Sequence, residues 1–233
     1  MGLKIEFVST VEALNDIEEC KPKPAKHFIP KWFKNIPTDI ENTVKICPSF
    51  PDYFSRGYIV PMWTDLEINI DKETKSWSWS TPPHTFQVEY HSDPQFIDHT
   101  KASFKGIEGQ GVFKFLSPWK VITPPGWSVL QLPLFYHFEN NFSVLPGVID
   151  TDIHHDINQQ VLYHGNGEAI KINRGDPLAL YIPYKRSEKL DLVTRFQTDK
   201  DKKLFTYKDY RFRTTFIGKG LYRRMQRERD KDV

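Results

Sequence analysis

The chain has 233 residues with 39% hydrophobic and 27% charged side chains, and it carries a formal net charge of +2. That length suits one β-rich domain with an appendage and buries enough surface to fold without staples. The near-neutral balance argues against a nucleic-acid partner, and no run of 18 apolar residues exists to span a membrane.

Residues 3–8 alternate as a short strand, and residues 9–19 follow with Val11, Leu14 and Ile17 at helical spacing behind a capping Thr10. Residues 21–37 carry four prolines and read as an extended strap anchored by Phe28, Ile29, Trp32 and Phe33, with one helical turn after Pro30. Residues 56–70 predict two strands with a kink at Pro61, and Ser-Trp-Ser-Trp-Ser at 76–80 puts Trp77 and Trp79 on one strand face. Further short strands are expected at 85–90, within 102–116, and at 119–122, 128–133, 147–149, 159–163, 168–172 and 179–182. A last strand or hairpin is expected at 204–216, ahead of a charged tail. Many short strands separated by turn residues make the fold class mainly β.

The opening residues lack the basic and apolar stretches of a secretory leader, and Glu6 breaks a myristoylation pattern. Cys20 and Cys47 have no CxxC spacing, which predicts two reduced thiols in a soluble, cytoplasmic protein. His84 and His91 flank one strand at an odd spacing and so face opposite ways, which argues against a shared metal unless the loop folds back; His99 lies in the loop beyond. Trp77, Trp79, Phe86 and Tyr90 offer either a base-stacking platform or ordinary packing, and packing is the expectation. The tail mixes Arg223, Arg224, Arg227 and Arg229 with Glu228, Asp230 and Asp232, so it forms no uniform basic face.

Three stretches stand in an order that organises the rest. They are Thr123-Pro-Pro-Gly-Trp-Ser-Val-Leu, then Gly147-Val-Ile-Asp-Thr-Asp152, then Ile172-Asn-Arg-Gly-Asp-Pro-Leu-Ala-Leu-Tyr-Ile182. Together they resemble the trimeric dUTPase family, itself similar to the dCTP deaminases. They correspond to its PPG turn, its G-V-I-D-x-D-Y-x-G motif and its GD turn before a strand. A fainter likeness to the family's first motif lies at Arg56-Gly-Tyr-Ile-Val and Asp65-Leu-Glu-Ile.

The resemblance implies a β-clip, a distorted small barrel that commonly trimerises, so a homotrimer is the partner expectation. It implies a strap and short helices over 1–55, a core over 56–217 with inserted strands at about 71–116, and a tail over 218–233. It also makes Asp150 the counterpart of the aspartate that orients the attacking water.

The departures are as informative. The family's Arg-Ser pair, which grips triphosphate, falls on Leu134 and Phe135, and its sugar-packing Tyr falls on Ile153. The first-motif Asp is Ile59 and the third-motif Gly is His155. Asp150 and Asp152 persist without the charged clamp that a polyphosphate requires. The resemblance therefore implies a degenerate pocket at Asp152, Ile153, Leu134 and Phe135. The leading expectation is a non-catalytic binding or assembly protein without a cofactor. Phrases such as Pro-Ala-Lys-His-Phe-Ile-Pro at 24–30 look like those of tailed-phage proteins, which implies the host cytoplasm or the virion.

Two enzyme readings stay open. One is a divergent nucleoside triphosphate pyrophosphatase using Asp150, Mg²⁺ and cations such as Arg174, Lys185, Arg186 or Arg213. The other is a cupin-like metal oxygenase built on the H-x-D string His154-His155-Asp156. Its distal histidine is missing, since the last His, His164, follows Asp156 by only eight residues.

Overall fold

The computed structural model describes residues 4–37, 43–47, 49–71, 74, 76–82, 88–90, 112–139, 141–163, 169–188 and 190–213. The chain divides into two compact units, Met1–Lys34 with Phe54–Glu188 and Asn35–Tyr53 with Lys189–Val233. His84, His91, His99, Phe86, His164 and the 218–233 tail lie outside the described residues.

The first unit is mainly β. Its strands are β1 (Glu6–Ser9), β2 (Lys23–Pro24), β3 (Tyr58–Pro61), β4 (Leu66–Asp71), β5 (Ser76–Ser80), β6 (Val88–Tyr90) and β7 (Val112–Phe115). They continue with β8 (Trp119–Ile122), β9 (Trp127–Leu132), β10 (Phe142–Val144), β11 (Gly147–Ile149), β12 (Gln159–Tyr163), β13 (Ile170–Ile172) and β14 (Pro177–Lys185). They form four antiparallel sheets ordered β1-β8, β10-β12-β7-β6, β11-β9-β14-β3-β2 and β13-β4-β5.

Strand alternation sets which side chains enter the core. In β12, Gln159, Val161 and Tyr163 are buried while Gln160 and Leu162 are only partly so. β14 departs from alternation: Leu178, Ala179, Leu180 and Tyr181 are all buried, so both faces of this stretch are covered, while β9 and β3 pair with its two edges. Trp77 packs edge-on against Phe113 with ring centroids 5.0 Å apart, which favours packing over a base platform for that ring.

The strap takes its expected shape: β2, a 3-10 turn over Ala25–Phe28, and helix α1 (Lys31–Asn35) after buried Pro30. Trp32 donates Nε1–H to the Tyr136 carbonyl at 2.7 Å, and Phe33 stacks on Phe54 at 4.7 Å. Ahead of it, the predicted helix over 9–19 is instead two 3-10 turns, Glu12–Asn15 and Glu18–Cys20. Thr10 caps neither, because its hydroxyl donates to the Pro118 carbonyl beside β8. Cys20 is buried with its thiol on the Trp63 carbonyl, and burial raises its pKa; Cys47 is exposed, and both thiols are free.

Gly57 fixes the entry to β3. Its φ is +71°, and a Cβ there would sit 2.3 Å from the Tyr181 carbonyl oxygen of β14.

Helix α2 (Ser49–Ser55) spans the division between the units at Tyr53 and Phe54, and in the second unit α3 (Asp199–Arg213) occupies the region expected as a strand. The signal for the helix is a capping box. Thr198 Oγ1 accepts the Asp201 N–H, and Asp201 Oδ2 accepts the Thr198 N–H and hydroxyl. Arg195 also bonds Asp201, and these donors hold its carboxyl below the usual carboxylate range. Alternating apolar letters at 204–216 suggested a strand, but the capped start outweighed them. No described helix is long and apolar enough to cross a membrane.

Two substitutions test these contacts. Tyr181 is fully buried, donates to Gln131 Oε1 at 2.8 Å and accepts from Gln159 Nε2 at 2.7 Å. Tyr181→Phe leaves Gln131 Oε1 without its donor and Gln159 Nε2 with only the Ile157 carbonyl, and is expected to cost about 1–3 kcal/mol, seen as a lower urea midpoint at unchanged slope. Thr198→Ala removes the cap and is expected to cost about 1 kcal/mol of helix stability, read as lower helical ellipticity and faster amide exchange over α3.

Candidate functional site

The Pro-Pro-Gly turn opens β9. Trp127 N–H closes it on the Pro124 carbonyl at 3.2 Å, and Gly126 takes φ +82° at its tip. β11 pairs with β9 so that Ile149 faces Val129, which brings Asp150, just past the end of β11, up to Ser128. The Ser128 hydroxyl donates to Asp150 Oδ1 at 2.6 Å.

The chain then turns sharply, with the Ile153 and His154 N–H groups both donating to the Asp150 carbonyl. This turn aims Thr151 and Asp152 back at the PPG loop. Buried Thr151 and Thr123 share a hydroxyl hydrogen bond of 2.7 Å, and Gly126 N–H donates to Asp152 Oδ2 at 2.7 Å.

β14 completes the corner from the other side. Its end pairs Lys185 with Trp127, and Arg186 N–H continues onto the Gly126 carbonyl at 2.9 Å. The Arg186 guanidinium forks onto Asp152, with Nη1 to Oδ1 at 2.9 Å and Nη2 to Oδ2 at 2.6 Å. Nη1 also donates to the Ser128 hydroxyl at 2.8 Å and the Trp127 carbonyl at 2.9 Å, and it lies 3.3 Å from Asp150 Oδ1.

The Asp152 side chain is 8% exposed, against 51% for Asp150. The Arg186 fork and then the Gly126 N–H pull the Asp152 carboxyl down to about 2, and Asp152 in turn raises Arg186.

Asp150, Asp152 and Arg186 thus meet at one corner, with Ile153 beside them, 77% exposed and packed on nothing that would order a sugar. Leu134 and Phe135 lie at the opposite end of β9, past Leu132. They line a cleft of about 430 Å³ together with Phe138, Phe142 and Leu178. Six residues of extended chain separate Leu134 from Ser128, roughly 20 Å. Within one chain, the aspartates and the family's clamp positions do not converge.

The cleft has its own character. A 3-10 turn over Phe135–His137 ends at Phe138, a non-glycine residue with φ +54°. Phe135 is 69% and Phe138 55% exposed, and burial lowers the His137 pKa. Trp32 of the strap lies 5.4 Å from the Phe138 ring.

The GD turn closes through Asn173 N–H and Nδ2 onto Asp176 Oδ2, with Gly175 at φ +86°. Of the cations considered with Asp150, Arg174 instead pairs with Glu19 and Lys185 sits near Glu188. The Arg213 side chain lies outside the described residues.

The H-x-D string is occupied by structural contacts. Asp156 accepts from Lys120 Nζ, which lowers its pKa. His155 Nδ1 lies 3.1 Å from the Val121 carbonyl and 2.9 Å from that of Thr151; both are acceptors, so Nδ1 carries the proton. Among the described residues no His, Cys, Asp and Glu side chains group to hold a metal.

Magnesium does not fit the corner either. Asp150 Oδ1 already accepts from Ser128 and lies 3.3 Å from the Arg186 guanidinium, whose positive charge disfavours a dication beside it.

Sequence reasoning named Arg186 among several cations but did not single it out, and it passed over Ser128 and the Thr123–Thr151 pair. A signal existed: the Asp-x-Asp string and the PPG turn each supply groups that call for a fixed donor, and Arg186 directly follows the strand that flanks β9.

No family model matches the chain, and no curated protein sequence does. Solved structures similar to it include the EIAV dUTPase, at 12% identity and TM-score 0.35, covering 61% of this chain and 86% of that one. A Staphylococcus bacteriophage 80alpha dUTPase matches at 13% identity and TM-score 0.29, covering 49% and 99%. The dUTPase of phage phi11 of S. aureus matches at 15% and 0.29, again covering 49% and 99%.

The Arg186 fork makes a pH prediction. Asp152 is depressed in the folded state, so its contribution to stability is present above its unfolded value of about 3.9 and is lost as pH falls toward 2. Wild type is expected to lose more melting temperature between pH 5 and pH 2 than Asp152→Asn does, and Arg186→Ala is expected to melt several degrees lower at neutral pH.

Proposed function

We propose that this chain is a non-catalytic binding or assembly protein on a dUTPase-like β-clip scaffold, acting in a phage-infected cell or in the virion. The carrying observation is the Arg186 fork. The one described cation beside Asp150 is already spent on two carboxylates, so the corner has a net negative charge where a triphosphate would have to be gripped. A polyphosphate carries several negative charges and needs unspent donors. Leu134 and Phe135, at the family's clamp positions, offer neither charge nor hydroxyl. The neighbouring of the PPG, GVID and GD-strand segments in one sheet supports the scaffold part of the reading. Self-association into a homotrimer belongs to the same proposal.

Incubation of the full chain with Mg²⁺ and a panel of nucleoside triphosphates tests this directly. The expected outcome is no pyrophosphate release and no thermal shift. A nucleotide held at roughly 100-fold above its Kd would add about 2.7 kcal/mol of stability, well within detection. Turnover that disappears in Asp150→Asn would establish the pyrophosphatase reading in its place.

A further inference from the structure

The cleft beside Leu134 and Phe135 takes no part in the Arg186 corner and lies wholly within the first unit. The 3-10 turn Phe135–His137, β10, the end of β13 and the start of β14 frame it, around a volume of about 430 Å³. Small-molecule sites run from roughly 300 to 1,000 Å³ and join apolar walls to a few convergent polar groups.

One wall is aromatic. The Phe135 and Phe138 rings stand largely open, with centroids 6.5 Å apart. Trp32 backs Phe138 from the strap at 5.4 Å, and its Nε1–H bond to the Tyr136 carbonyl ties the strap to the turn. Phe138 is held at φ +54°, a left-handed conformation that a non-glycine residue adopts at a cost and that gathers at ligand sites.

The other wall is acidic. Glu139 and Asp176 both line the cleft. Glu139 Oε1 accepts the Asn141 N–H, and Asp176 Oδ2 accepts the Asn173 N–H and Nδ2–H. Each carboxylate keeps a second oxygen without a partner among the described residues. Lys171, the cation in the lining, is paired with Glu67 at 3.5 Å. His137 adds no charge at neutral pH, because burial lowers its pKa. The sign of the cleft is therefore negative, opposite to what a triphosphate needs, although Leu134 and Phe135 stand at the clamp positions of the dUTPase pattern.

Open ring faces attract a cation within about 6 Å of the centroid, and free carboxylate oxygens add to that pull. An anion meets repulsion from both walls, and a neutral guest gains nothing from the acidic one. We propose that this cleft binds a small organic cation, a substituted ammonium or guanidinium on an apolar body, with Phe135 and Phe138 against the body and Glu139 and Asp176 facing the charge. The inference goes beyond the proposed function and does not depend on whether the corner hydrolyses nucleotides.

The test titrates the full chain with benzyltrimethylammonium, and with benzyl alcohol and benzoate as neutral and anionic counterparts, by calorimetry or ligand-observed NMR. The cation is expected to bind about tenfold more tightly than the alcohol, with benzoate silent and added salt weakening the cation alone. Phe135→Leu removes the ring while keeping an apolar side chain, and Glu139→Gln removes one charge; both positions are exposed, so the melting temperature should hold. Each variant is expected to weaken cation binding by roughly threefold, and Glu139→Gln should leave the alcohol unaffected. Equal affinity for cation and alcohol overturns the proposal, as does cation binding indifferent to both variants. So does silence from the small cation, including the case where tetra-arginine binds, which would make the occupant a basic peptide. Nucleotide turnover with cation binding intact would remove the non-catalytic reading and leave this one standing.

Discussion

β14 is covered on both faces from Leu178 to Tyr181, and the described functional geometry hangs from that strand. Its pairing with β9 aligns the PPG turn with Arg186, and its pairing with β3 places the Gly57 bend against the Tyr181 carbonyl. A one-residue slip of this strand would send Tyr181 to the opposite face, out of reach of Gln131 and Gln159. The corner at one end and the cleft at the other are therefore held at a fixed separation of about one strand length.

That separation bears on what the corner can do. A hydrolytic site needs a carboxylate free to order water and a second set of charges to hold the phosphates, all within a few ångströms. Here one guanidinium satisfies two carboxylates, a hydroxyl and a backbone carbonyl at once. An arginine bonded in this way staples the loop before β9 to the loop after β11.

Much of this was legible in the letters of the chain. Period-2 alternation located β4 and β5, turn residues set off β8, β11 and β12, and the prolines of the strap located the turn before α1. The conjunction of PPG, GVID and GD motifs anticipated which strands would be neighbours. Where reading failed, a specific contact had outcompeted local pattern. Thr10 was claimed by the Pro118 carbonyl rather than by a helix, and Thr198 with Asp201 started a helix where the alternation of 204–216 suggested extension. Arg186 was only one of several candidate cations until the β9–β14 register was known, since no spacing along the chain reveals which basic residue ends up across from Asp152.

The bend at position 57 has a consequence for how freely this chain can vary. Its missing side chain is demanded twice over, by a backbone angle that L-residues resist and by a main-chain oxygen that cannot step aside. Gly147 has neither demand, with ordinary geometry and open surroundings. A saturation library would thus recover almost any residue at 147 and a single one at 57. Drift at the protein's surface could erase most of its recognisable letters while that position stayed frozen.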